Sequence, residues 1–362
     1  MINIIFDNII FSLQRSGGGS VYWNELIKRF IISKENCIFF DHGNNSLNFF
    51  RNELQLKIVK KETAFNLKIR RYLPFTKKIS NKTIFHSSYY RYSNSKYAIN
   101  VTTIHDLTAE KFRSGLARWI NLQQKKQAVR KSKGIICISE NTKKDLLHYI
   151  PEASTKEIRV IYNGVSDDYF KIDNDFDISL KDRRFKALQN GKYVLYVGHR
   201  SHYKNFDIAV KGMQECIKDY QFVIVGEPLS STENSLVEKY LGSGYTVLSG
   251  LKNSKLNLLY NKAFALLYPS SYEGFGIPIL EAMKTHCPVI ANHSSSIPEV
   301  AGDAAILIGD IAPEKIGKAI KHLEEHDFRQ ELIKKGILQS AKFSWDKTSE
   351  EYLNFYKDLY EE

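Results

Sequence analysis

The sequence predicts an α/β protein made of two Rossmann-like parallel-sheet domains facing across a cleft, and three observations carry that expectation. Short apolar runs alternate with amphipathic helical stretches through both halves of the chain. The apolar runs are hydrophobic throughout rather than at every second position, the pattern of strands covered on both faces by helices. The 362 residues also exceed what one ordinary core holds. No repeat of solenoid period interrupts this alternation.

In the first half, strands fit "INIIF", "NCIFF", "TIFHSS", "NVTTIHD", "GIICIS" and "IRVIYNG". Helices fit "GSVYWNELIKRFI", "GLARWINLQQKKQAVRKS" and "SENTKKDLLHYI", the last opened by Ser139 as its N-cap. The polar, acidic stretch "SDDYFKIDNDFDISLKDRR" then separates the halves. In the second half, strands fit "YVLYVG", "QFVIVG", "YTVLSG", "AFALLYPS", "CPVIA" and "AAILI". Helices fit "FDIAVKGMQECIKD", "KLNLLYNKA", "PILEAMKT" and "APEKIGKAIKHLEE". Open parallel sheets bind ligands beyond the carboxyl ends of their strands, so the candidate site residues are sought there.

Charge divides the chain more sharply than hydrophobicity. Residues 1–165 hold 28 Lys/Arg against 12 Asp/Glu, whereas the remainder holds 24 against 28. Basic residues cluster at 57–61, 68–71, 77–78 and 125–133, several interleaved with apolar side chains as in "NLKIRRYLPFTKK". That mixture suits an anionic membrane surface; an ordinary solvated, lysine-rich surface is the plainer account. Nucleic acid would also meet the charge, but no RNP, zinc-finger or helix-turn-helix signature is present, and no nucleic-acid partner is expected. No apolar stretch approaches the roughly 20 residues of a membrane span. The start, "MINIIFDNIIF", carries Asp7 and no basic region, so it reads as a buried strand rather than a signal peptide. The four cysteines are scattered without a CxxC pair, which argues for reduced thiols in a cytoplasmic compartment and against a zinc site.

The stretch "SSYEGFGIPILEAMK" sets Glu273 and Glu281 on either side of a Gly-Phe-Gly-Ile-Pro turn. Glu273 ends the loop after an apolar strand. Glu281 falls inside a helix that Pro278 is placed to start, since proline suits the first helical position. Gly274 and Gly276 allow a tight turn and close approach of backbone to ligand. A helix N-terminus beside such a turn attracts anions, and a carboxylate there repels phosphate. Glu281 therefore either accepts hydrogen bonds from neutral hydroxyls, as a ribose offers, or complements the helix dipole.

"YVGHRSHYKNF" places Gly198, Arg200 and Lys204 between a strand and a helix, where two cations can clamp a diphosphate or stand as surface charges. "RSGGGSVYWNEL" puts Gly17, Gly18 and Gly19 at the first strand–helix junction. The GxGxxG dinucleotide fingerprint is absent there, yet the backbone can still approach a phosphate or sugar. "TIHD" leaves His105 and Asp106 at another strand end, where an imidazole can bond a substrate hydroxyl.

Together these segments resemble glycosyltransferase family 4, the retaining family with the GT-B fold, and in particular bacterial polysaccharide and O-antigen mannosyltransferases. The strongest part is "YPSSYEGFGIPILEAMKTHCPVIANHSSSIPEVAGDAAILIGD"; "TIHDLTAEKF", "ICISENTKKDLLHYI", "IRVIYNGV" and "YVLYVG" followed by "YKNF" add to it. The resemblance implies an N-terminal acceptor domain over 1–168, a linker over 169–191 and a nucleotide-sugar donor domain over 192–344. Residues 345–362 would form a last helix that crosses back to the first domain. It assigns Glu273 to hydroxyls of the donor sugar and Glu281 to the ribose, with Phe275, Gly276 and Ile277 offering backbone N–H groups to sugar and diphosphate. Gly198, Gly18 and Gly19 join the donor-binding set. Lys204 and Arg200 would neutralise the leaving diphosphate, and His105 would position substrate.

The implied reaction moves a sugar from a nucleotide-sugar, with a GDP-sugar such as GDP-mannose favoured and a UDP-sugar open, to a glycan or lipid-linked hydroxyl. It implies no metal and no cofactor, and a location on the inner face of the cytoplasmic membrane. A non-catalytic nucleotide-sugar- or nucleic-acid-binding protein on the same fold is the alternative. Two residues depart from the family pattern: His286 stands where a small residue, commonly glycine, precedes "CPV", and His199 stands where many members have arginine. "DND" at 173–175 has the DxD form of metal-dependent transferases, but its place in the acidic linker favours plain linker acidity.

Overall fold

Seven segments of the first half form β1 (Asn3–Asp7), β2 (Asn36–His42), β3 (Val59–Glu62), β4 (Thr83–Ser87), β5 (Ala98–Ile104), β6 (Gly134–Cys137) and β7 (Glu157–Val160). In the computed structural model they pair in the order β3-β2-β1-β4-β5-β6-β7, every pairing parallel. The structure describes residues 1–15, 17–43, 48–56, 59–62, 66–172, 188 and 192–362; the "DND" triplet lies outside them. β3 was not anticipated. It is an edge strand of sequence VKKE, and lysines on an edge discourage further pairing while masking the apolar signal.

The second half forms β8 (Tyr193–Val197), β9 (Gln221–Val225), β10 (Tyr245–Leu248), β11 (Ala265–Tyr268), β12 (Val289–Asn292) and β13 (Ile306–Ile308). Their order is β10-β9-β8-β11-β12-β13, again all parallel. Val194, Leu267 and Ile290 from the strands and Ile316 and Ile320 from the helix Pro313–His322 form one apolar layer over this sheet. Two helices of more than ten residues escaped the sequence reading, Ser231–Leu241 and His326–Ser340, as did the short Ile297–Ala301. The first carries a legible start: Ser230 and Glu233 form a reciprocal capping box.

The chain divides into two units, Met1–Gly164 with Ser344–Glu362, and Val165–Phe343. The last helix, Trp345–Glu361, therefore packs within the first unit. Its buried face is Trp345, Thr348, Tyr352, Phe355, Tyr356 and Leu359, the spacing of a single helical stripe. Tyr352 hydrogen-bonds Tyr22, and Trp345 meets the Tyr22 ring edge-on at 5.7 Å. Gly134 permits the approach, since a Cβ there would fall 2.4 Å from Leu359.

The helix Ile277–Lys284 ends in a Schellman motif. Cys287 N–H donates to the Ala282 carbonyl at 2.8 Å and His286 N–H to the Met283 carbonyl at 3.1 Å. His286 holds the left-handed position with φ 63°. The glycine that the family pattern commonly has here would take this left-handed position without a Cβ penalty. His286→Gly is expected to be more stable than His286→Ala by about 1 kcal/mol, because only the alanine keeps a Cβ in the left-handed region. Paired thermal melts check this, both variants lacking the imidazole; equal stability would contradict it.

Candidate functional site

In the second sheet the strand order reverses between β8 and β11, and a crevice at the carboxyl ends of those strands is where such sheets hold ligands. Lys204 ends a single helical turn, His202–Lys204, after β8, and Glu273 lies in the loop after β11. The two side chains form an ion pair, both largely enclosed. The Tyr268 hydroxyl also donates to Glu273, and the Lys204 ammonium lies 5.6 Å from the Tyr203 and Tyr268 ring centres.

Three neighbouring loops are laced together around this pair. Ser271 N–H and Oγ donate to the Tyr203 carbonyl at 2.7 and 2.9 Å, and the Asn205 amide donates to the Pro269 carbonyl at 2.8 Å. Asn205 adopts φ 51°, a left-handed conformation that asparagine tolerates. From the loop after β12, Ser295 accepts from Glu273 N–H at 3.0 Å. Ser296 Oγ donates to the carbonyls of Glu273 and Phe275, each at 2.9 Å. The positions of the ion pair are thus set by backbone contacts, not by the pair alone.

Phe275 is buried and meets Phe343 edge-on at 5.7 Å, so its side chain anchors the turn. Gly276 caps the following helix at φ 113°, a conformation that demands glycine, and Ile277 is the first helical residue. Pro278 stands second. Gly198 has φ 130° and open space where a Cβ would stand. Arg200 is directed towards the loop after β9: Nε donates to Glu233 at 2.9 Å, and Nη2 to the Glu227 and Pro228 carbonyls at 2.8 Å. Its Nη1 is buried without a hydrogen-bond partner among the described residues.

Glu281 is half-buried, and its carboxyl accepts from the Tyr260 hydroxyl at 2.9 Å and from the Tyr169 hydroxyl. Burial pushes its pKa up to about 7, and the two phenol hydrogen bonds offset this only in part. A carboxylate so enclosed gains from hydroxyl donors arriving with a ligand. Tyr169 and Tyr260 were missed in the sequence, where nothing distinguishes them from core tyrosines.

The first unit carries the remaining candidates. His105 follows β5, half-buried, and meets the Tyr22 ring edge-on at 4.5 Å. Burial, which outweighs the attraction of Asp106, pushes its pKa down to about 4. At neutral pH it is an uncharged imidazole, able to bond a hydroxyl but not to act as a cation. Lys125 donates to the Asp106 carbonyl at 2.8 Å and pairs with Glu110 at 2.6 Å, fixing the loop beside His105. Gly18 and Gly19 open the helix Gly18–Ile32. The strained glycine is Gly17 at φ 142°, where a Cβ would fall 2.3 Å from Gln14.

A buried ionic cluster at the ends of β1, β2 and β3 was not foreseen. Arg91, 2% exposed, donates to Asp7 at 3.0 Å and to Glu62 at 2.8 Å, and His42 hydrogen-bonds Asp7. Burial raises the Asp7 pKa, but Arg91, His42 and Ser87 outweigh it and hold it at about 2, well below the usual carboxylate range. Arg70 also pairs with Glu62, so part of the basic run "NLKIRRYLPFTKK" is committed to this cluster.

Comparison with known proteins places this architecture. A family model for group 1 glycosyl transferases matches residues 178–339, and one for Glycosyltransferase Family 4 matches residues 16–169. Together the two cover most of the chain, which carries a Glycosyltransferase Family 4 domain in its first half and a group 1 glycosyl transferase domain in its second, and has the GT-B fold. The O-antigen chain mannosyltransferase B of Escherichia coli is 32% identical over 177 residues, 46% of this chain and 46% of that protein. The O-antigen chain mannosyltransferase RfbU of Salmonella typhimurium is 30% identical over 203 residues, 55% of this chain and 53% of that protein. The chain thus spans about half the length of these curated relatives. Among solved structures, HepE of Anabaena in complex with UDP and glucose has a TM-score of 0.73 at 17% identity, covering 99% of this chain and 100% of that one. WaaG, a glycosyltransferase involved in lipopolysaccharide biosynthesis, has a TM-score of 0.67 at 14% identity, covering 97% and 99%. These two are similarities of fold.

Proposed function

We propose that this chain is a retaining, metal-independent hexosyltransferase of cell-surface polysaccharide or glycolipid assembly. It takes a sugar from a nucleotide-sugar held by the second unit and passes it to a hydroxyl of a glycan or lipid-linked acceptor. The observation that carries this reading is the Lys204–Glu273 pair at the strand-order reversal, with Glu281 a helix turn beyond the glycine cap. In the ligand-free pair the two charges satisfy each other. A bound donor would draw Lys204 to its diphosphate and leave Glu273 to the sugar hydroxyls. Glu281 accepts from the ribose, and Arg200 would have to turn its buried Nη1 outward to meet a phosphate oxygen.

Negative charge grows on the leaving phosphate as the glycosidic bond breaks, and fixed cations stabilise that charge without reorganising. Lys204, Arg200 and the N-terminus of the helix after Gly276 supply it. His105, neutral at pH 7, positions substrate by a hydrogen bond. The O-antigen mannosyltransferase relatives favour a GDP-linked mannose, whereas the UDP and glucose bound to HepE keep UDP-sugars open. The test is sugar release from a panel of GDP-, UDP- and ADP-sugars by purified protein. Hydrolysis is expected with one nucleotide class and unchanged by EDTA. Activity abolished by EDTA and restored by manganese would overturn metal independence.

A further inference from the structure

Residues 111–119 all face solvent, and they include three large apolar side chains among three cations. Phe112 ends the helix Thr108–Phe112, while Leu116, 70% exposed, and Trp119, 58% exposed, stand three apart on the first turn of the helix Gly115–Lys131. Lys111, Arg113 and Arg118 alternate with them. No acidic residue occurs between Glu110 and Glu140. Further along the same helix Gln124, Lys125, Ala128 and Val129 are buried, so only its first turns stand clear.

A second exposed apolar group lies beside it. Ile69, Tyr72 and Leu73 are exposed, and the Gln124 amide donates to the Arg71 carbonyl at 2.6 Å, which ties the two segments together. Tyr89 lies within electrostatic reach of Arg71, Tyr72 and Arg113 alike, so both segments belong to one surface of the first unit.

We infer that this surface, centred on Phe112, Leu116 and Trp119, docks the first unit on an anionic lipid bilayer. Apolar and aromatic side chains interspersed with Lys and Arg suit the headgroup boundary, where the rings and chains insert and the cations meet lipid charge. A second copy of the chain is disfavoured as occupant, because like charges would face each other. The inference rests on the proposed function only for its purpose, the delivery of a membrane-borne acceptor. Among the basic runs, Arg70 is spent on Glu62 and Lys125 on Glu110, so neither is counted in the docking charge.

The tryptophans give a direct readout. Trp23 and Trp345 are 1% and 2% exposed, which leaves Trp119 as the solvent-facing one of three. Purified chain is mixed with vesicles of phosphatidylcholine, with or without phosphatidylglycerol, and its emission and co-sedimentation are followed. A blue shift and sedimentation are expected with phosphatidylglycerol only, weakening as salt rises. The shift should vanish in Trp119→Phe. Phe112→Ser/Leu116→Ser/Trp119→Ser should lower vesicle affinity about tenfold or more, with circular dichroism and nucleoside-diphosphate affinity unchanged. Equal binding to neutral vesicles, undiminished binding by the triple variant, or self-association that the triple variant abolishes would each overturn the inference. Donor hydrolysis is scored separately on the same preparations. Its failure in wild-type protein would sink the functional reading without touching the lipid result.

Discussion

Lys204→Ala is expected to lower turnover of the donor by about 10²–10³-fold, the range seen when one preorganised charge-stabilising group is removed from a transition state. The ammonium sits at the strand-order reversal with its position fixed by loop contacts, so little reorganisation is needed when charge develops on the phosphate. Its interaction strengthens as the bond breaks. The loss should therefore appear in kcat and exceed the loss of affinity for the nucleoside diphosphate. Removing Lys204 also strands Glu273 without its cation in a largely enclosed site, where a carboxylate repels the diphosphate. Lys204→Ala/Glu273→Gln should therefore recover part of the lost diphosphate affinity while turnover stays low. Single-turnover kinetics with the identified donor measure both; near-normal turnover in Lys204→Ala would contradict the assignment.

Donor-nucleotide affinity is expected to fall with acidification through Glu281. Burial raises its pKa from 4.5 to about 7 in the ligand-free chain. Ribose hydroxyls donate to the ionised form, so binding must expel a proton below that pKa. Affinity should then weaken by about tenfold for each pH unit below the pKa and level off above it. Glu281→Gln should flatten this dependence, and the difference between the two proteins removes the titration of the phosphate itself. The sign for stability is opposite. A carboxyl whose folded pKa lies above its unfolded value disfavours the charged form, so stability is greatest below pH 4.5 for this group and is lost as pH rises towards 7. Glu281→Gln should thus melt higher than wild type at pH 8, by up to ~3 kcal/mol, while binding nucleotide more weakly. Calorimetry and thermal melts across pH check both arms.

The same residues show where sequence was sufficient and where it was not. The strands of the second sheet were legible because runs such as Tyr193–Val197 are buried and bounded by a glycine that must turn. The placement of Glu273 and Glu281 on either side of the Gly276 turn was legible from their spacing. The ion pair of Glu273 with Lys204 was not, since the partners stand 69 positions apart and meet only when β8 and β11 pair. Nor were Tyr169 and Tyr260 on Glu281, or Arg91 between Asp7 and Glu62, because each depends on which strand ends become neighbours. The basic first half was read as clusters at 57–61, 68–71, 77–78 and 125–133, and 111–119 was not among them. Burial resolves it into cations spent internally, such as Arg70 and Lys125, and an exposed group at 111–119.

The central claim is that the second unit binds the nucleotide of a sugar donor, with Glu281 on the ribose and Glu273 on the sugar. Calorimetric titration of GDP and UDP into wild-type, Glu281→Ala and Glu273→Ala protein tests it most directly. One of the two nucleotides should bind wild type, and Glu281→Ala should weaken it by roughly 1.5–3 kcal/mol through loss of a charge-assisted hydrogen bond. Glu273→Ala should bind the sugar-free diphosphate as well as wild type or better, since Lys204 is released to the phosphate. Equal loss in both variants, or no binding of either nucleotide by wild-type protein, would contradict the account.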